Sequence, residues 1–294
     1  MREKALLGFL SLALIACTNT DGMEQTKSAT TNLAQTIDSE TIIDAGSDFD
    51  WNRALRLKAK LLQNLANQSA RIDWLLSGFL NEYSDIVNDI NNYLYNRDDY
   101  DSISTIVYKP EDQAEAATVF AGNVERSGFE IATAEGEIVI VQSTDFIKKD
   151  ILIYMDSISA IFLDLYCAEI DSVCCSDGAL IISNKTLLNR VYEWGELLKE
   201  MEYSEYYSMV QNKYNWNLFF MLNGLENTPF FDWESALYDQ EVFNLIQDFM
   251  EKYPNSTAAN DFKIFSELLV ANGMKKTEKV SQFLEEMYNN ILTN

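Results

Sequence analysis

The chain has 294 residues, with 46 acidic and 22 basic side chains, no histidine and a formal net charge of −24. Such a surface repels nucleic acid, which is bound by neutralising phosphates with Lys and Arg, and it equally repels anionic lipid headgroups. Without histidine there is no Ser-His-Asp or Cys-His catalysis and no His-containing zinc site; carboxylate chemistry, oxygen-ligated cations and neutral or basic partners remain.

Arg2 and Lys4 open a segment in which Ala5–Ala16 is almost wholly apolar, closed by Leu14-Ile15-Ala16-Cys17. The run is too short to cross a bilayer, which takes about 20 residues, and has the layout of a secretory signal peptide. Its last four residues resemble the lipobox of bacterial lipoproteins. That resemblance implies cleavage before Cys17, lipidation of the Cys17 thiol with palmitate-like chains and, usually, acylation of the new amine. Two or three chains hold a protein at a membrane where one does not. Residues 1–16 are then the signal peptide, and the rest is lipid-anchored and extracytoplasmic, at the cell membrane or outer membrane. Thr18 stands where Asp would signal inner-membrane retention in some two-membrane bacteria, so the outer membrane is expected there. Losing Arg2, Glu3 and Lys4 leaves a net charge of −25, so acyl chains and not a basic patch must supply attachment.

Residues 17–48 then comprise the lipidated cysteine and a Thr-, Ser-, Asp-, Asn- and Gln-rich stretch without periodicity, expected as a flexible tether. Residues 49–294 are the expected helical ectodomain, with any subdivision near 171–178. Asp50 is the expected N-cap of a helix. Leu55, Leu61, Leu62 and Leu65, then Ile72, Leu75, Leu76, Phe79, Leu80, Tyr83, Ile86, Val87, Ile90, Tyr93 and Leu94, recur at steps of three and four, with a break near Asn67–Ser69. Asn96–Ser102 reads as an acidic loop. Pro110 with Glu111 and Asp112 resembles a first helical turn, and that helix should stop at Gly128 in the left-handed conformation.

Phe129–Ala134 and Ile138–Gln142 flank Glu135-Gly136-Glu137 and predict one β-hairpin, which must lean on helices to be stable. Ser143 or Thr144 should cap a single long helix bearing Phe146, Ile147, Ile151, Tyr154, Met155, Ile158, Phe162 and Leu165. Five more helices are expected at about 185–201, 204–225, 239–253, 256–272 and 277–291, with Gly224 and Gly273 at helix ends. In the first of them, Arg190 and Glu193 are spaced to pair on the surface. Tyr214, Trp216, Phe219, Phe220 and Met221 lie on more than one face of their helix, the pattern of a buried central helix. The fold class expected is mostly α, either a helical bundle or a short helical-hairpin array, with one small β-hairpin near 129–142.

Lys252-Tyr253-Pro254-Asn255-Ser256, followed by Ala258, Ala259 and Phe262, resembles the junctions of tetratricopeptide (TPR-like) repeats over about 240–290, although the full repeat consensus is missing. The middle of the chain is similar to a loose group of uncharacterised exported bacterial proteins. The similarity rests on Gly128-Phe129-Glu130-Ile131, Glu135-Gly136-Glu137, Asp145, and Asn223–Pro229 with Asp232. It implies architecture and no reaction.

Cys167, Cys174 and Cys175 are an odd set for an exported protein, leaving at least one thiol unpaired or intermolecular. A disulfide from Cys167 to Cys174 or Cys175 is the favoured pairing, since adjacent cysteines bridge one another only through a strained ring. Acids and aromatics also meet repeatedly: Asp48, Asp50 and Trp51; Asp98, Asp99, Tyr100 and Asp101; Glu202, Tyr203, Glu205, Tyr206 and Tyr207; Phe231, Asp232, Trp233 and Glu234. Such pairs suit a glycan or a cationic ligand, with Trp51, Tyr100, Tyr206 and Trp233 as the candidate contacts; they equally suit the margin of an amphipathic core. The acidic loops lack the EF-hand ligand pattern, and no metal, cofactor or catalytic residue is assigned. The expected role is a non-enzymatic, membrane-anchored binding or scaffolding module whose partner is an envelope protein or glycan. A ligand receptor using the aromatic and acidic clusters is the first alternative, and a carboxylate-based glycan hydrolase the second.

Overall fold

A computed structural model describes residues 49–68, 70–108, 115–134 and 136–293. The signal peptide, Cys17, the tether, Asp48 and Pro110-Glu111-Asp112 lie outside the described residues. The fold is mostly α: eleven α-helices and three small antiparallel hairpins are present among the described residues. The described residues divide into two compact units, one of those up to 132 together with 138–160, and one of those from 161 onward together with those of 133–137. In sequence the division falls at Ala160/Ile161.

In the first unit, α1 (Arg53–Ala66) and α2 (Ile72–Tyr95) form a helical hairpin. The Arg53–Asp89 ion pair, 2.6 Å, ties the start of α1 to the last turns of α2 and so makes them antiparallel. Asn52, not Asp50, is the N-cap of α1, while Asp50 pairs with Arg56. The expected acidic loop is shorter than its composition suggests, because α3 (Tyr100–Tyr108) begins inside it; Asp99 accepts the Arg97 guanidinium just ahead of the helix. α3 packs on α4 (Glu115–Arg126), which ends before Gly128 at φ +87°.

The hairpin of β1 (Phe129–Ala134) and β2 (Glu137–Gln142) is held to α2 in a specific way. The Asn91 carboxamide donates to the Ile140 carbonyl (2.9 Å) and accepts from the Ile140 N–H (2.8 Å), and the Tyr95 hydroxyl donates to the Ile138 carbonyl (3.0 Å). One side chain thus pairs the open edge of a two-stranded ladder as a third strand would, which offsets the marginal stability of an isolated hairpin. Beneath it, the fully buried Tyr83 ring stacks on Phe79 and Phe129, and its hydroxyl donates to the Gly128 carbonyl while accepting from Ser143 N–H at 3.2 Å.

The long helix expected after Ser143 is three pieces: α5 (Thr144–Lys148), a 3-10 turn at Leu152–Tyr154, and α6 (Ser157–Asp171). Asp150, at φ +66°, breaks the first, and the Asp156 carboxylate accepting from Ser159 N–H (2.7 Å) starts the last. Local side-chain capping therefore overrides an apolar stripe that is continuous in sequence.

The second unit packs α7 (Asn184–Glu200) along α8 (Tyr207–Asn223), with α10 (Thr257–Ala271) and α9 (Gln240–Lys252) against α7 and α11 (Glu278–Thr293) against α8. Its capping is conventional: Ser183, Asp239 and Ser256 accept from N–H groups in the first turns of α7, α9 and α10. Gly195 sits where α7 meets α8; a Cβ there would lie 2.9 Å from the Tyr214 ring, and the Gly195 carbonyl accepts from Thr257 Oγ1 at 2.9 Å. The core is aromatic, with Phe162 stacked on Tyr206 at 4.2 Å beside the buried Trp194. Two short hairpins join the helices, β3 (Cys175–Ser176) with β4 (Ala179–Leu180) and β5 (Gly224–Leu225) with β6 (Thr228–Pro229).

Candidate functional site

The four candidate contacts have different fates. Tyr206 is buried in the core of the second unit, so it is a packing residue. Trp233 is 76% exposed, on a turn organised by Asp232. The Asp232 Oδ1 accepts from Ser235 N–H (2.7 Å), Ser235 Oγ (2.6 Å) and Glu234 N–H (3.2 Å), and these bonds hold its carboxyl below the usual range. Tyr100 is half-buried against Tyr95, 5.9 Å between ring centroids.

Trp51 lines a pocket of about 310 Å³ with Arg97, Glu115, Ala116, Val119, Phe120 and Asn123. Its indole meets Phe120 edge-on at 5.6 Å and Phe49 at 5.0 Å. The Arg97 guanidinium is already engaged, bidentate to Asp99 (2.7 and 2.8 Å) and to the Tyr93 hydroxyl; the Asp99 bond raises Arg97 and lowers Asp99 from their ordinary pKa values. Among the described residues the carboxylate of the lining is Glu115.

A second aromatic group was not among the candidates. Along α8, Trp216, Phe219 and Phe220 are half-buried and not central as their all-round apolar helix suggested; only the Val210, Tyr214, Leu218, Met221 and Leu222 side is buried. Tyr288 of α11, 40% exposed, closes on them: Trp216–Tyr288 5.9 Å, Phe219–Tyr288 5.5 Å, Trp216–Phe220 5.4 Å. Leu292, 60% exposed, follows one turn later on α11. Helical spacing sets Asn212 and Asn215 one turn ahead of Trp216 and Phe219, on the same stripe. The face therefore offers several ring surfaces and carboxamides, with Lys213 of α8 and the exposed Glu285 of α11 at the same helical spacing. Sequence spacing signalled the rings, but only the position of α11 decides which side of α8 stays open.

Deeper in the second unit, a polar knot joins three helices. Glu169 of α6 accepts from Trp194 Nε1 (2.8 Å), Asn217 Nδ2 (2.7 Å) and Lys213 Nζ (2.8 Å). Arg190, expected on the surface, is buried and donates to the Ser172 carbonyl at the end of α6. The Tyr214 hydroxyl donates to Asp261, and burial raises both groups. These contacts fix helix against helix, while the buried Asn217 Oδ1 has no hydrogen-bond partner.

Among the described residues no group of three or more Cys, Asp or Glu could hold a metal, and no helix is long and apolar enough to cross a membrane. All three described cysteines are thiols: Cys167 is buried, and Cys174 and Cys175 are half-buried with their sulfurs 3.3 Å apart. Burial, reinforced by the neighbouring sulfur, pushes the Cys174 thiol up to about 12. Comparison with family models, curated proteins and solved structures found no match to this chain.

Proposed function

We propose that the chain is a lipid-anchored, non-catalytic binding module of a bacterial cell envelope, and that its second unit takes a neutral glycan on the α8–α11 aromatic face. The half-exposed cluster of Trp216, Phe219, Phe220 and Tyr288 carries the reading. Ring faces stack on the C–H faces of sugars, and carboxamides such as those of Asn212 and Asn215 suit hydroxyl groups. Charge supports a neutral ligand, because a chain at −24 repels polyanions. Leu14-Ile15-Ala16-Cys17 supports the anchor.

Two experiments test the two halves. Cys17→Ser should leave the protein unprocessed or released from membranes; unchanged retention and mass would defeat the anchor. For the ligand, the full chain in detergent is titrated with neutral N-acetylhexosamine oligomers by tryptophan fluorescence, beside Trp216→Ala and Tyr288→Ala. Saturable binding that both variants weaken at least tenfold is expected. Absence of binding, together with a stoichiometric protein crosslinked to this face in intact cells, would replace the glycan with a protein partner.

A further inference from the structure

We infer that Cys174 and Cys175 form a reversible vicinal disulfide, a redox modification site where the loop after α6 enters β3. Their sulfurs are already in contact at 3.3 Å, and both residues are half-buried, within reach of a small reagent. Consecutive Cα atoms across a trans peptide lie about 3.8 Å apart, closer than the 4.4–6.8 Å usual for disulfides. The bond is therefore strained, and strain makes a disulfide easier to reduce. The same strain that disfavours such a pair as a permanent staple suits it to cycling.

The oxidant is a low-molecular-weight disulfide or a disulfide-bearing oxidoreductase. One of the two cysteines, as its thiolate, takes one sulfur of the external disulfide and expels the other half as a thiol. The neighbouring cysteine, its sulfur already in contact, then loses its proton to water and attacks the protein sulfur of that mixed disulfide, expelling the second half. One external disulfide is reduced to two thiols, and two protein thiols become one disulfide.

Closing the ring must turn the Cys174–Cys175 peptide, whose neighbourhood carries defined bonds. Ile181 N–H donates to the Cys174 carbonyl at 3.0 Å, and Cys175 pairs with Leu180 in the β3–β4 ladder. Oxidation thus loosens this hairpin, and through it the bond from Leu180 N–H to Thr228 Oγ1 (2.8 Å) that joins it to β5–β6.

The full chain, purified reduced, is treated with oxidised glutathione, quenched with N-ethylmaleimide, digested and read by tandem mass spectrometry. The expected product has both sulfurs unalkylated and the mass of two hydrogens missing, restored by dithiothreitol. Cys167→Ser leaves this unchanged. Replacing either Cys174 or Cys175 with serine leaves glutathione trapped on the other, since the resolving thiol is gone. Hydrogen exchange at Ile181 N–H accelerates on oxidation of the wild type. A bond from Cys167 to either residue, or separate alkylation of both cysteines after oxidation, overturns the proposal.

Discussion

Replacing Tyr83 by phenylalanine keeps the ring that stacks on Phe79 and Phe129 and removes one oxygen from the middle of the first unit. That oxygen serves two backbone groups from different segments, the Gly128 carbonyl where α4 turns into β1 and the Ser143 N–H where β2 turns into α5. Both residues are buried, so water does not take its place. A buried polar group left without a partner costs about 1–3 kcal/mol, while a solvent-replaced hydrogen bond costs about 0.5–1.5 kcal/mol. The two groups share one partner, so their losses do not simply add, and about 2–4 kcal/mol is expected for Tyr83→Phe. The control is Tyr95→Phe, which removes a comparable bond to the Ile138 carbonyl from a residue 47% exposed and should cost about 1 kcal/mol or less. Urea unfolding followed by circular dichroism measures both. If Tyr83→Phe costs no more than Tyr95→Phe, the hydroxyl is not the joint between helix and hairpin that its bonds describe.

Lys58 gives a pH signature. Its ammonium is buried, donating to the Phe146 carbonyl at 2.6 Å with Asp150 4.0 Å away, and burial lowers its pKa from 10.5 to about 8. Between those values the unfolded chain binds more protons, so stability should climb from about pH 8 to 10.5 by on the order of 3 kcal/mol; the climb should vanish in Lys58→Met urea titrations. Three glycines should respond to alanine in graded fashion, each read by the same unfolding curves. Gly78 has nothing within 4 Å of a new Cβ and sits inside α2, so Gly78→Ala should stabilise by about 0.5–1 kcal/mol. Gly195→Ala should cost about 1–2 kcal/mol by pressing on Tyr214, and Gly128→Ala about 3 kcal/mol or more, since positive φ and a 2.5 Å approach to the Phe146 ring act together.

Much of the helical skeleton follows from spacing and caps. Ser183, Asp239 and Ser256 accept first-turn N–H bonds, and Gly128, Gly224 and Gly273 all take positive φ at helix ends. Three features escaped for identifiable reasons. The stripe from Phe146 to Leu165 is continuous in sequence because the 3-10 turn at Leu152–Tyr154 keeps near-helical spacing, so periodicity does not register the break at Asp150. The β3–β4 hairpin is only two residues a side, too short for any alternation. Its one signal was Asp177-Gly178, both at positive φ, the pair that a two-residue hairpin turn favours. The role of Asn91 was illegible altogether: a carboxamide on a helix becomes a strand surrogate only once β2 lies alongside.

The same distinction governs the sites. Acid–aromatic adjacency in sequence picked Tyr206 and Trp233, which the fold sends in opposite directions, one into the core and one to 76% exposure. In a helix, neighbours in sequence point about 100° apart, so adjacent acid and ring seldom share a surface; rings three or four apart do. By that criterion Trp216, Phe219 and Phe220 are the stronger group on α8, and Tyr288 joins them from a helix some seventy residues on. Half-burial of these rings carries a cost in exposed apolar surface, about 25 cal/mol per Å², that the neighbouring α11 could have removed with a closer or longer contact. Instead α11 leaves Tyr288 and Leu292 open beside them, which keeps one continuous apolar face available to a ligand.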